Sequence, residues 1–189
     1  MMRSSIDRKE NTLIKNSLFN PSKDSSNQLL ASIKFKSGVQ QDFAEFFEFI
    51  LSNLNCEYLI FNKLQRCVGC NFMKETKEQF ITLQLPIPQY KYNFINLEKC
   101  FSNFISEEYE NCNCDKCESV LRKKHLTPLC LPGYLFIQLK RTAFNNKGEK
   151  IETNVIIPRL MKLGETDYEL TCVVLHSGDA IGGKFSYYF

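Results

Sequence analysis

The chain has 189 residues, 43% of them apolar and 13% aromatic, which is enough for one sizeable hydrophobic core with a smaller lobe attached. Its formal net charge is +3, with 24 basic side chains scattered among 21 acidic ones, so neither nucleic acid nor an anionic membrane is expected as a partner. Met1 to Ser5 lead into polar sequence without a long apolar run or cleavable signal, and this predicts a reducing compartment, cytosol or nucleus, where the nine cysteines stay available to metal.

Residues 1–26 are rich in Lys, Asn, Ser and Asp, with scattered apolar anchors such as Leu13 and Phe19, and are expected to be weakly ordered. A folded domain is then predicted over 27–189. It begins with a short amphipathic piece at 29–33. Ser37 followed by Gln40 is a capping-box pattern, and Asp42 falls in the first turn, where the positive end of the helix dipole favours a carboxylate. Phe43, Phe46, Phe47, Ile50, Leu51 and Leu54 recur at the spacing of one helical face, which predicts a helix with that face buried. Gln40, Gln41, Glu45 and Glu48 lie on its opposite, solvated side.

Beyond Asn55 the pattern predicts strands at 58–61 and 80–85, the second closed by Pro86-Ile87-Pro88. Leu97, Cys100, Phe101, Phe104 and Ile105 share a face and predict a second helix over 97–105. Further strands are predicted at 119–126, 134–139, 151–157 and 168–175, separated by turn signals at Pro132-Gly133, 145–148 and Gly164. A turn from His176-Ser177-Gly178 through Gly182-Gly183 feeds a terminal aromatic strand, 185–189.

Cys67-Val68-Gly69-Cys70 and Cys114-Asp115-Lys116-Cys117 each hold two thiols at the spacing of a metal knuckle. Zinc prefers a tetrahedron of thiolates at about 2.3 Å, so two such turns would complete one closed, structural Zn²⁺ site with no position left for water. Such a site would draw 56–130 into a finger-like lobe. Cys112 could stand in for Cys114 as the third sulfur, and the plain alternative is that the thiols are small buried hydrophobes. The knuckles alone would also suit a zinc ribbon that binds nucleic acid, against which the scattered charges argue.

The order of these features resembles the ubiquitin-specific proteases, thiol hydrolases that remove ubiquitin from proteins. Gln40-Gln41-Asp42-Phe43-Ala44-Glu45-Phe46 is similar to their QQDAxEF box, and the two cysteine pairs to the CxxC pairs of their fingers. Leu131-Pro132 with Leu135 to Arg141 resembles the LP…L…LKRF strand, and Lys150 to Leu163 its continuation. Tyr168-Glu169-Leu170, Val173 to Gly178 and Gly182-Gly183-Lys184-Phe185-Ser186-Tyr187-Tyr188 resemble the Y.L..VV.HSG….GGHYxAY ending. The resemblance implies an α+β, papain-like hand with a partial thumb, an antiparallel palm sheet and zinc-bearing fingers. It also implies that Gln41, Asp42 and Glu45 hold the arginine-bearing C-terminal tail of ubiquitin, although capping and solvation of a helix explain the same residues. Phe185 and Tyr187 would line the same channel, unless they are ordinary strand residues.

The chemistry of the family does not carry over. A thiol protease needs a cysteine activated by a nearby imidazole and a third group to orient the ring. No cysteine precedes Cys56, Lys184 stands where the GGHY motif has its histidine, and the chain ends at Phe189, before the orienting Asp or Asn. No catalytic residue is therefore assigned. Cys172 and His176 share a strand face but would lie about 13 Å apart at about 3.3 Å per residue, and His125, beside Lys123 and Lys124, reads as a surface histidine. The expectation is a pseudoprotease that binds ubiquitin, a ubiquitin-like protein, or a larger protein complex covering the thumb helix. The alternative is an incomplete stretch of an active deubiquitinase.

Overall fold

The computed structural model describes residues 43–54, 56–88, 94–141, 151–178 and 183–188. The segment expected to be weakly ordered, the piece at 29–33, the capping box, Gln41 and Asp42 lie outside them. The chain divides into two compact units between Glu57 and Tyr58.

In the first unit, helix α1 (Phe43–Asn53) follows the predicted periodicity. Ile50 and Leu51 are buried, and Phe46, Phe49 and Leu54 pack against Ile50. No cationic residue stands in its last turn. Asn53 Nδ2 and Ser52 Oγ instead donate to the Phe49 carbonyl at 2.9 and 2.8 Å.

The second unit opens with β1 (Leu59–Cys67), β2 (Met73–Phe80), β3 (Thr82–Pro86) and β4 (Phe94–Asn96), followed by α2 (Leu97–Ile105). Then come β5 (Glu108–Asn111), β6 (Leu121–Cys130), β7 (Phe136–Lys140) and β8 (Asn154–Ile156). The last elements are β9 (Leu160–Leu163), β10 (Thr166–Glu169), β11 (Val173–Gly178) and β12 (Gly183–Tyr188). Strands β2-β1-β6-β5, in that order, form one antiparallel sheet. The remaining strands pair two by two. β9–β10 and β11–β12 are antiparallel, whereas β3–β7 and β4–β8 run parallel, so the pairing outside the long sheet is mixed.

Period-2 alternation explains β1, whose residues Leu59, Phe61, Lys63, Gln65 and Cys67 share one face. Leu59 and Phe61, at its root, are fully buried in the core with Leu83 and Leu85 of β3. Helix α2 turns Leu97, Cys100 and Phe101 into the same core. The ring of Phe61 lies 5.8 Å from Phe80, 6.4 Å from Phe101 and 5.8 Å from Phe104, two of these contacts edge-to-face. Further out, the same face of β1 becomes polar: Lys63 Nζ lies 3.0 Å from Glu110 and 3.2 Å from Glu78, and Gln65 Nε2 donates to Glu110 at 2.6 Å. One face of one strand thus runs from hydrophobic root through an ion network to Cys67 at the tip.

Several predicted strands change length. β1 continues through Cys67, and the strand predicted at 168–175 splits into β10 and β11. β2, β4, β5 and β9 were not predicted. β2 is an edge strand reading Met-Lys-Glu-Thr-Lys-Glu-Gln-Phe, whose charges suit an exposed edge and leave little apolar alternation to detect. The Leu-Lys-Arg segment at 139–141 acts structurally. Arg141 Nη1 donates to the carbonyls of Ile151 (3.1 Å) and Thr153 (2.9 Å), while the Arg141 carbonyl accepts from the Ile151 N–H at 2.6 Å.

Candidate functional site

The first cysteine pair lies in the turn from β1 to β2. Its shape follows from local residues: Cys67 N–H donates to the Phe72 carbonyl at 2.9 Å, and Asn71 N–H to the Cys67 carbonyl at 3.1 Å. Asn71 sits at φ 61°, a left-handed conformation that asparagine tolerates better than most residues. Gly69 sits in a tight place, since a Cβ there would lie 3.0 Å from Ser119 Cβ and 3.4 Å from Cys117 Sγ.

The second pair lies in the connection from β5 to β6, closed by Cys112 N–H to the Val120 carbonyl and Cys114 N–H to the Ser119 carbonyl, both 2.8 Å. A bond of 3.1 Å from Val68 N–H to the Leu121 carbonyl joins the two turns. The sheet register therefore brings together cysteines far apart in sequence.

Sγ atoms of Cys67, Cys70, Cys114 and Cys117 lie within 4.8 Å of one another, and Cys112 is not among them. Cys67–Cys117 and Cys70–Cys114 are each 3.6 Å apart. An ion bonded to four sulfurs at about 2.3 Å has sulfur–sulfur edges of about 3.8 Å, so the donor set fits a tetrahedral, thiolate-binding metal ion with little movement. All nine cysteines are free thiols.

Two of these thiols are shifted in opposite directions. Cys67 is lowered to about 6, chiefly by the Cys70 backbone N–H, with hydrogen bonds from Cys114, Cys117 and Gly69 outweighing burial. At Cys117 the Ser119 N–H pulls downward, but burial and the sulfurs of Cys67, Cys70 and Cys114 push the thiol up to about 12. Cys67 thus gives up its proton readily and Cys117 holds its own, because thiolates packed together without a cation repel one another. A bound cation removes that repulsion.

Arg122 adjoins this cluster and escaped the sequence reading, where Arg122-Lys123-Lys124 looks like a solvated basic run. It is 1% exposed and lies opposite Cys67 in the β1–β6 register. Its Nη2 donates to the Asn113 carbonyl and lies 3.4 Å from Asp115 Oδ1. Asp115 also accepts from Lys74 Nζ at 2.9 Å. Burial opposes the Arg122 charge, but Cys112, Asp115 and Cys114 outweigh it and raise its pKa. No sequence signal marks this arginine, since its burial depends on which strand lies across from it.

The other predicted site residues are dispersed. Glu45 is exposed in the first turn of α1. His125 is exposed on β6, as expected of a surface histidine, and pairs in register with Leu64. Cys172 is exposed just before β11, while His176 is half-buried within β11, its ring 4.8 Å from that of Phe185. Lys184 is exposed on β12 opposite Ser177, and Phe185 and Tyr187 on the same strand are exposed. Among the described residues no helix is long and apolar enough to cross a membrane.

The profile of the ubiquitin carboxyl-terminal hydrolase family matches residues 2–189. The chain is 26% identical over 174 residues to "Probable ubiquitin carboxyl-terminal hydrolase 8" of Schizosaccharomyces pombe, a match covering 79% of this chain and 38% of that protein. It is 24% identical over 193 residues to ubiquitin carboxyl-terminal hydrolase 25 of Arabidopsis thaliana, covering 84% of this chain and 29% of that one. Among solved structures it is similar to the SAGA DUB module Ubp8/Sgf11/Sus1/Sgf73 bound to monoubiquitin, with a TM-score of 0.72 and 23% identity over 96% of this chain and 50% of the other. The same module bound to ubiquitin aldehyde gives a TM-score of 0.70 at 23% identity, over 98% of this chain and 52% of the other. This chain therefore spans about half of the solved chains, and less than that of the curated relatives. Its fold is the α+β hand of the ubiquitin-specific proteases, in part, with the four-cysteine tip on its long sheet. On the family match across nearly its whole length, the chain belongs to the ubiquitin carboxyl-terminal hydrolase family.

Proposed function

We propose that this chain is a ubiquitin-specific-protease-like domain that binds ubiquitin, or a ubiquitin-like protein, without cutting it. Lys184 carries this reading. By resemblance it occupies the position of the imidazole that serves the family as general base, and it lies exposed on β12. An ammonium donates protons at neutral pH and cannot take one from a thiol. The chain has two histidines, and neither is at this position: His125 is on the long sheet and His176 on β11.

Ubiquitin bound in both solved relatives supports ubiquitin as the partner class. Gln41, Asp42 and Glu45 would face its basic tail, two carboxylates and an amide suiting arginines. The further subunits in those structures support a larger protein complex as a partner class, and in this reading it covers α1. In this reading Cys67, Cys70, Cys114 and Cys117 hold one structural Zn²⁺, which ties the two knuckle turns together and, with every position taken by sulfur, offers none to a reacting water. Cytosol or nucleus belongs to the same proposal, because zinc thiolates persist where thiols stay reduced.

The test is a calorimetric titration with ubiquitin, run beside incubation with ubiquitin bearing an electrophile at its C-terminus. Saturable binding without a covalent adduct is expected. An adduct on any cysteine overturns the non-cutting half, and absence of binding overturns the other half.

A second reading is that the chain is one portion of an active thiol hydrolase. The partial span of its relatives, 38% and 29% of their lengths, favours it. It requires an in-frame cysteine box in the coding sequence immediately 5′ of Met1.

A further inference from the structure

We propose that Arg122 is the buried counter-charge and positioning residue of the four-cysteine cluster, holding the second knuckle in shape for the metal. This rests on the proposal above that those thiols hold zinc.

Three observations carry it. The first is burial: Arg122 is 1% exposed, although an arginine is almost never fully buried unless it is paired. The second is an incomplete set of partners. Only Nη2 is engaged, by the Asn113 carbonyl and Asp115, while Nε and Nη1 are buried without a hydrogen-bond partner among the described residues. A buried guanidinium with idle donors is costly as a structural element alone, and an apolar side chain of similar volume would serve packing better.

The third is location. Arg122 lies across from Cys67 in register, and its Nη2 engages two residues of the second knuckle segment, the Asn113 carbonyl and the Asp115 carboxylate. Lys74 of β2 holds that carboxylate from the other side at 2.9 Å. Four thiolates around a divalent ion leave a net charge of minus two, and a buried cation with idle N–H donors beside them offsets it. Charge balance and orientation of this kind by residues behind a metal's ligands tune its affinity.

The sign of the expected effect separates this role from a purely structural one. Arg122→Met removes the charge and keeps the bulk. If Arg122 serves the metal, the zinc-free variant is as stable as the zinc-free parent or more so, while its zinc affinity falls by about 10- to 100-fold. Affinity is read by competition between the chain and a chromogenic chelator for Zn²⁺ alone, and the Co²⁺-loaded chain reports the geometry of the four sulfurs through its visible absorption. Arg122→Lys keeps the charge without the fork and should recover part of the loss, which bulk alone would not explain. Arg122→Met binding zinc within about threefold of the parent, with an unchanged Co²⁺ spectrum, overturns the proposal. Should the Met variant fail to fold, Arg122→Lys decides: parental affinity and spectrum overturn the proposal, and a weakened, altered site supports it. A parent chain that retains no zinc would instead end the metal reading itself, so the two failures are distinguishable.

Discussion

Truncating Phe61 to alanine probes how the long sheet is anchored. Phe61 is 0% exposed and meets the rings of Phe80, Phe101 and Phe104 at 5.8, 6.4 and 5.8 Å, so its loss removes transfer energy and three ring contacts together. Transfer of a buried phenylalanine side chain contributes about 2 to 3 kcal/mol, and ring pairs add about 0.5 to 1.5 kcal/mol each. The wall of the resulting cavity is built of β2, bonded along its length to β1, and of α2, held by its own backbone bonds, which limits collapse. The loss should be about 4 kcal/mol, near the middle of the range for core Phe→Ala changes. For a chain of this size about 1 kcal/mol shifts the melting temperature by about 2 to 4 °C, so Tm should fall by about 8 to 16 °C in a circular-dichroism melt. Phe94→Ala is the control, because that ring is 60% exposed and its loss should cost less than about 0.5 kcal/mol. A Phe61→Ala chain melting within about 2 °C of the parent, or a Phe94→Ala chain falling as far, would refute the placement of the core.

Cys70→Ser should abolish stoichiometric metal binding and expose the amides of 67–72 and 112–119 to hydrogen exchange, while those of Leu83 and Phe101 stay protected; mass spectrometry of metal content and of deuterium uptake reads both. Gly69→Ala should weaken zinc binding and destabilise the tip by about 1 to 3 kcal/mol through overpacking against Ser119 and Cys117, visible in a zinc-loaded melt and absent in Val68→Ala, whose side chain is exposed. Glu110→Gln tests the ion network. Burial alone would raise the Glu110 carboxyl, but hydrogen bonds from Lys63 and Gln65, with the charges of Lys63 and Lys124, hold it below the usual carboxylate range. A lowered folded pKa stabilises above the unfolded value of about 4.3 and is lost as pH falls through the folded value. The variant should therefore be less stable than the parent by about 1 kcal/mol at pH 7, and the difference should close below about pH 4 in denaturant titrations.

The two helices and the cysteine pairs were legible because their signals are local: a 3.6-residue apolar period at 43–54 and 97–105, and two-residue thiol spacing. Choosing Cys114 over Cys112 was not local. It depends on the cross-strand register that brings the second turn against the first, with the Sγ of Cys114 and not that of Cys112 in the cluster. β2 and β5 escaped because their charged side chains, such as Lys74, Glu75 and Glu108, are stabilised by neighbouring strands and solvent with no apolar period of their own. Arg122 and Glu110 look like surface charges in sequence, and their roles emerge only from the β1-β6-β5 register, which seats Arg122 between Cys67 and Glu110. Lys184 was the reverse case: its meaning came from resemblance, and the structure adds its exposed place on β12 across from Ser177.

The most direct measurement incubates stoichiometric chain with di-ubiquitin and follows both by intact-mass spectrometry and gel filtration. Co-elution of chain with uncleaved di-ubiquitin is the outcome this account requires. Release of mono-ubiquitin that stops when the cysteines are alkylated would contradict it.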